Sequence, residues 1–215
     1  MATTRKQGRP KSEEKYHLIL HAASCLFLKE GFANTSMDTV AKASGVSKQT
    51  VYSHFEGKDA LFQAAISSKC RSYQLDTQQL IDATSGSLSL LECLRKVGCQ
   101  FVRLLQDPEA IAIFRVIIAE AVNSPHVATL FYQAGPEASL STLSDVIEKF
   151  GEGSLSRDIA QQLAVDYCAL LKGEYHTMML CGIQSPLQDD AITAHVNSAA
   201  EKILLLFTHY AQQHN

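Results

Sequence analysis

With 215 residues, 46% of them apolar and 19% charged, the chain can bury a sizeable core and is too apolar to stay disordered. No apolar run approaches the roughly 18 residues of a membrane span, and the polar opening MATTRKQGRPKSEEKY lacks the apolar stretch of a secretory signal, so a cytoplasmic protein is expected. The net charge of −3 hides an asymmetry: residues 1–60 carry nine Lys or Arg against six Asp or Glu, the remainder ten against sixteen, so a basic head precedes an acidic body and only the head suits a polyanion.

In chain order, residues 1–11 form a basic tail, with Arg5, Lys6, Arg9 and Lys11 around Gly8 and Pro10. Ser12, followed by Glu13 and Glu14, predicts a helix start. Leu18, Ile19, Ala22, Ala23, Leu26 and Phe27 make one apolar stripe, which Gly31 closes. Ser36 is placed to cap MDTVAKAS, and Gly45 to end it. Ser47 then caps KQTVYSHF, ended by Gly57, and a longer helix runs from Lys58 to about Leu80.

SerGlySer at 85–87 reads as a loop. LSLLECLRKVGCQFVRLL follows as an amphipathic helix ending at Asp107-Pro108, and Pro108 suits the first turn of the next, to about Val122. Ser124-Pro125 repeats that start, Gly135-Pro136 predicts a break or kink, and GEGS at 151–154 a turn. Two long helices, roughly 155–182 and 189–212, close the chain. The period is helical throughout, with no convincing strand or hairpin. The expected fold is therefore all-α, about nine helices, in three parts: the tail 1–11, a small three-helix head 12–57 and a larger body 58–215.

The segment GVSKQTVYSHFEGKDALF carries the functional reading. Lys48 to Phe55 is too short a helix to be stable alone. The two helices joined by Gly45-Val46-Ser47 read as a helix-turn-helix, with Val40, Ala41, Val46, Val51 and Phe55 packed inward to hold the short one. Its polar residues are then free for a DNA major groove. Ser36 and Ser47 place hydroxyls and free N–H groups where phosphate can sit. Lys48 and Lys58 bring positive charge, and Tyr52 and His54 donors for phosphate oxygens. Gln49 can pair bidentately with adenine, and Thr50 can meet a base edge, a thymine methyl or a phosphate.

Residues 16–62, with the pattern ILxAAxxLF over Ile19 to Phe27, Glu30-Gly31-Phe32, Thr35-Ser36-Met37, AKASGVSKQTVYSHF and the closing KxxLF, resemble the DNA-binding domain of the TetR family of bacterial regulators. That resemblance assigns Ser36, Ser47, Lys48, Gln49, Thr50, Tyr52, His54 and Lys58 to DNA contacts. Gln49 stands where many members carry a small residue, so it is expected to shape operator preference. The resemblance implies a homodimer through the two C-terminal helices, double-stranded operator DNA and a small-molecule pocket among the middle helices, with no cofactor.

The stretch IFRVIIAEAVNSPHVATLFYQAGPEASL, 113–140, is similar to AefR-like regulators found beside efflux pumps, which points to a hydrophobic ligand. Arg115, Glu120, Asn123, His126, Tyr132, Tyr167, Tyr175 and His176 are the polar and aromatic candidates for its wall. For Arg115 and Glu120 a structural ion pair is the favoured alternative. A repressor released from its operator by that ligand is expected; a ligand-independent scaffold or an activator is the alternative.

His17, His21 and Cys25 share a helix face, but three points spread over about 12 Å of helix cannot converge on one ion, so no metal is expected. The six cysteines form no CxxC pair and read as free thiols. GEGSLS lacks the last glycine of a nucleotide fingerprint, and no G-x-S-x-G, HExxH or phosphate loop occurs, so no enzyme is expected.

Overall fold

The computed structural model describes residues 9–73, 88–151 and 153–213. The expected tail residues Arg5, Lys6 and Gly8, the extension of the fourth helix to about Leu80 and the SerGlySer loop lie outside them. The described residues form helices α1 (Arg9–Asn34), α2 (Met37–Ser44), α3 (Lys48–His54), α4 (Lys58–Ser72), α5 (Leu90–Leu105), α6 (Pro108–Glu120), α7 (Pro125–Tyr132), α8 (Ala138–Phe150), α9 (Arg157–Leu180) and α10 (Asp189–Gln213). A π-helical turn over Gln133–Glu137 joins α7 to α8.

Local chemistry sets most of these boundaries. Ser36 Oγ accepts from Thr39 N and Thr39 Oγ1 from Ser36 N, a reciprocal cap at the start of α2. Gly45 ends α2 in the left-handed region (φ 71°, ψ 16°), the conformation the tight turn requires. Asp107 Oδ1 accepts from the N–H groups of Glu109 and Ala110, with Pro108 opening α6.

Two apolar cores result. One lies within the body between α5, α6, α8, α9 and α10, around Leu94, Ile147, Leu163, Tyr167, Leu171, Val196 and Ile203. The other fills the head with Ile19, Phe27, Val40, Val51, Phe55, Leu61 and Phe62, and continues into the body through Ile117, Val127, Leu130 and Phe131. Seven-residue α3 is thus held by tertiary packing: Val51 and Phe55 are buried, and Phe55 stacks on Tyr16 at 5.2 Å between ring centroids.

Two helix irregularities matter later. The continuous helix expected over roughly 155–182 is interrupted at Gly173 (φ 51°, ψ −169°), and His195 of α10 donates from Nε2 to the Leu171 carbonyl at that break, 3.0 Å away. The Gly135-Pro136 kink takes the form of the π-helical turn, packed on α4: Ser67 Oγ donates to Ala134 O at 3.1 Å.

Candidate nucleic-acid interface and internal cavity

The exposed side of α2 and α3 gathers most of the residues expected to meet DNA. Lys48, Gln49 and Tyr52 are exposed on α3, with Thr50 and His54 half-buried beside them. Ser36 and Ser47 are exposed at the N-termini, where both hydroxyls serve as caps; Ser47 Oγ accepts from Thr50 N at 3.2 Å and bonds the Thr50 hydroxyl at 2.8 Å. Free N–H groups of the first turn remain on the same face. Lys48 Nζ sits 2.8 Å from Asp38 Oδ1.

Lys58 is differently engaged. Its ammonium donates to the carbonyls of Phe32 (2.8 Å) and Ala33 (3.3 Å) and lies 4.3 Å from the Phe32 ring centroid. It therefore caps the end of α1 and ties it to the start of α4.

Behind the head lies a cavity of about 130 Å³. Five phenylalanines from five helices line it: Phe27 of α1, Phe62 of α4, Phe101 of α5, Phe114 of α6 and Phe131 of α7. Gly135 and Pro136 of the π turn, Ser139 and Leu140 of α8, and Cys168 and Lys172 of α9 complete the wall. The phenyl rings meet edge to face, Phe27 on Phe62 at 5.1 Å and Phe114 on Phe131 at 4.9 Å, which fixes the wall's shape.

At this wall one ammonium is held by two carboxylates. Lys69 Nζ lies 2.9 Å from Asp107 Oδ1 and 2.8 Å from Glu109 Oε2, and Tyr73 Oη donates to Asp107 Oδ2 at 2.7 Å. Burial works against the Lys69 ammonium, but its bonds to Glu109 and Asp107 outweigh it and raise its pKa. Burial would likewise raise the Asp107 carboxyl, yet the Tyr73 and Lys69 hydrogen bonds hold it below the usual range. Burial, aided by Asp107, pushes the Tyr73 hydroxyl up to about 12. The network pins the end of α4 to the start of α6 beside the cavity.

None of the eight polar and aromatic ligand candidates lines this cavity. Arg115 donates from Nε to Leu180 O and from a terminal nitrogen to Met179 O, both at 2.8 Å, and so caps α9; it does not pair with Glu120. Glu120 lies against Gly31 of α1, with Oε2 buried and without a hydrogen-bond partner. His126 contacts Asp59 at 2.7 Å, joining α7 to the first turn of α4. Asn123 and Tyr132 are exposed. Tyr167 is buried in the body core and donates to Leu94 O at 2.6 Å. Tyr175 is buried nearby, and His176 lies behind the wall, edge-on to Phe114 at 5.5 Å. The wall phenylalanines carry no sequence mark that separates them from core residues.

The thiols divide by burial. Burial raises the pKa of Cys70 and Cys93, and that of Cys168 to about 11, whereas Cys25 and Cys181 are exposed. A disulfide reagent at pH 8 should therefore modify Cys25 and Cys181 in its fast phase, with Cys93 and Cys168 reacting only as the chain opens. A fast phase of the same size in Cys25→Ser/Cys181→Ser would contradict this assignment.

Comparison with known proteins agrees with this arrangement. Residues 19–65 match the family of bacterial regulatory proteins, tetR family, and residues 92–210 the AefR-like transcriptional repressor, C-terminal domain. The solved flavonoid-responsive regulator FrrA is 30% identical, with a TM-score of 0.66 over 90% of this chain and 97% of that one. The transcriptional activator FasR of Mycolicibacterium smegmatis is 25% identical over a stretch covering 77% of this chain and 73% of FasR. The transcriptional regulator YerO of Bacillus subtilis is 26% identical over 77% of this chain; the match spans about half of YerO, 55%.

Proposed function

The chain belongs to the tetR family of bacterial regulatory proteins and is a helix-turn-helix transcriptional regulator, and from that premise we propose a homodimeric repressor that leaves its operator when a small apolar molecule enters the cavity. The observation that carries this reading is the cavity's wall: Ser24, Phe27 and Leu28 of α1 and Phe62, Ala65, Ile66, Lys69 and Cys70 of α4 belong to the elements that hold the recognition helix. A ligand that expands the cavity pushes directly on the head. Coupling is reciprocal, so operator DNA weakens ligand binding by the same factor.

The wall also describes the ligand. At about 10–15 Å³ per water-sized occupant, the cavity takes on the order of ten non-hydrogen atoms without rearrangement. Its phenyl lining, with the Lys69 ammonium already held by the Asp107 and Glu109 carboxylates, favours a neutral, flat, apolar compound. FrrA's response to flavonoids supports an aromatic one, and control of an efflux system fits such a ligand.

In the proposed operator complex, Lys48, Tyr52, His54 and the N-termini capped by Ser36 and Ser47 meet phosphates, while Gln49 and Thr50 meet bases. Most of the apolar stripe on α9 and α10 faces the chain's own core, but Val165 (42% exposed), Leu205 (73%) and Leu206 (38%) remain for a partner helix pair. A two-fold dimer sets the recognition helices on half-sites about 34–36 Å apart or a multiple of that. Activation is the second reading, supported by the likeness to FasR.

Fluorescence anisotropy of the protein on the DNA upstream of its own gene tests the proposal, at two salt concentrations and with a panel of neutral aromatic and acyl compounds. The expected result is tight, salt-sensitive binding released by at least one compound. Ser139→Phe, which fills the cavity from α8, should keep DNA affinity and lose release. Equal release of both proteins places the ligand elsewhere, and binding that no compound releases points to a ligand-independent scaffold.

A further inference from the structure

The contact between Asp38 and Lys48 has a geometry that a DNA phosphate would have to reproduce. Lys48 Nζ lies 2.8 Å from Asp38 Oδ1 and 3.0 Å from Oδ2, so both carboxylate oxygens grip one ammonium. Asp38 sits in the first turn of α2, and Lys48 opens α3, so the pair spans the two N-termini of the helix-turn-helix. Both side chains are exposed, 60% for Lys48 and 64% for Asp38, on the face that carries the Ser36 and Ser47 caps. The hydrogen bond to Asp38 raises the Lys48 pKa, so the ammonium stays charged beside its carboxylate. Tyr52 lies under the same ammonium, 6.0 Å from its ring centroid.

We propose that Asp38 is a built-in phosphate competitor, a positioning residue that holds Lys48 against α2 and lowers affinity for any duplex until a backbone phosphate takes its place. This rests on Lys48 as a phosphate contact. A lysine free in solution gains by releasing counterions from DNA; one already paired must first give up its carboxylate, which then faces the phosphates as a like charge. Non-specific binding is almost wholly electrostatic, so the brake acts most visibly on unrelated sequence, where no base contacts offset it. The helix-turn-helix thus carries its own restraint on indiscriminate binding, placed beside the residue it restrains.

The test is Asp38→Asn, alone and in a Lys48→Ala background, titrated on an unrelated duplex and on the operator across a salt series. Asn keeps the size of the side chain and one acceptor oxygen while removing the charge, and circular dichroism confirms that each variant is folded. Asp38→Asn is expected to tighten binding to the unrelated duplex about 3–10-fold at low salt, an effect that shrinks as salt rises. In the Lys48→Ala background the same change should move affinity less than about twofold. Weaker binding by Asp38→Asn would mean that Asp38 presents Lys48 to DNA, and would overturn the proposal. Equal tightening with and without Lys48 would make Asp38 a general repelling charge, which also overturns it. If the wild-type protein binds but Lys48→Ala binds as well, Lys48 is no phosphate contact and the competitor falls with it. A wild-type protein that binds no duplex would instead sink the regulatory reading itself.

Discussion

Gly98→Ala is expected to destabilise the body by about 2–3 kcal/mol, the cost of forcing a methyl into a packed core. Gly98 lies on the buried side of α5, facing Tyr167 and Leu171 of α9 and Val196 of α10. A Cβ there would overlap the Tyr167 hydroxyl, lie 2.7 Å from Val196 Cγ1 and 3.3 Å from Leu171 Cδ2. Each of these neighbours lies in the core: Tyr167, Leu171 and Val196 are fully buried, and Tyr167 is anchored by its bond to Leu94 O. At about 2–4 °C per kcal/mol for a chain of this size, the melting temperature should fall by roughly 5–10 °C.

Tyr167→Phe distinguishes the causes. Alone it loses one hydrogen bond, about 1 kcal/mol. Combined with Gly98→Ala it removes the worst overlap and leaves that with Val196, so the double variant should be less unstable than the sum by on the order of 1 kcal/mol. Strict additivity in thermal unfolding would show instead that α5 has shifted away as a whole.

How far the sequence discloses this molecule follows from the range of the interactions involved. The first helix start was not legible, since α1 opens at Arg9 and not at Ser12, and Ser124 makes no side-chain cap. Several others were legible because a cap acts over three residues, as with Ser36 and Thr39, Ser47 and Thr50, and Asp107 and Ala110. The helix-turn-helix was legible for the same reason, Gly45 and Ser47 standing two residues apart between two apolar repeats. The break at Gly173 was not, since a lone glycine inside a helical pattern is usually tolerated. Only the arrival of His195 from α10 at the Leu171 carbonyl, a contact 24 residues distant, gives that break its hydrogen bond.

The cavity was the least legible feature. Sequence reasoning marks polar residues in an apolar stretch, here Arg115 and Glu120, with a structural ion pair as the favoured alternative to a ligand wall. Arg115 instead satisfies the end of α9, while its neighbours Ile113 and Phe114 form the wall. A phenylalanine facing a cavity and one facing a packed core have the same periodicity; what separates them is how well five helices fill the space between them. Lys58 shows a related limit: its place in the motif suggests phosphate, and only the fold reveals the carbonyls of Phe32 and Ala33 at its ammonium.

Gly31→Ala should cost about 2–4 kcal/mol, combining the backbone penalty of a conformation close to glycine-only with a new contact between head and body. Gly31 has φ 78° and ψ 169°, and a Cβ on it would lie 2.5 Å from Glu120 Oε1. The two contributions separate in Glu120→Ala. That change alone should be close to neutral, because Glu120 Oε2 is buried without a partner and its loss leaves no donor stranded. In the Gly31→Ala background it should restore only the share due to the contact, about 1 kcal/mol, and leave the backbone strain.

The consequence reaches the DNA face. The Phe32 and Ala33 carbonyls that hold Lys58 follow Gly31 directly, and Lys58 opens the helix whose Phe62 and Ile66 wall the cavity. Displacing the end of α1 therefore displaces the joint between recognition unit and cavity. Operator affinity of Gly31→Ala is expected to drop on the order of tenfold at a temperature where the protein remains folded, a change equivalent to about 1.4 kcal/mol. Full operator affinity together with a lowered melting temperature would assign Gly31 to stability alone, and would mean that the α1 end does not set the position of the recognition helix.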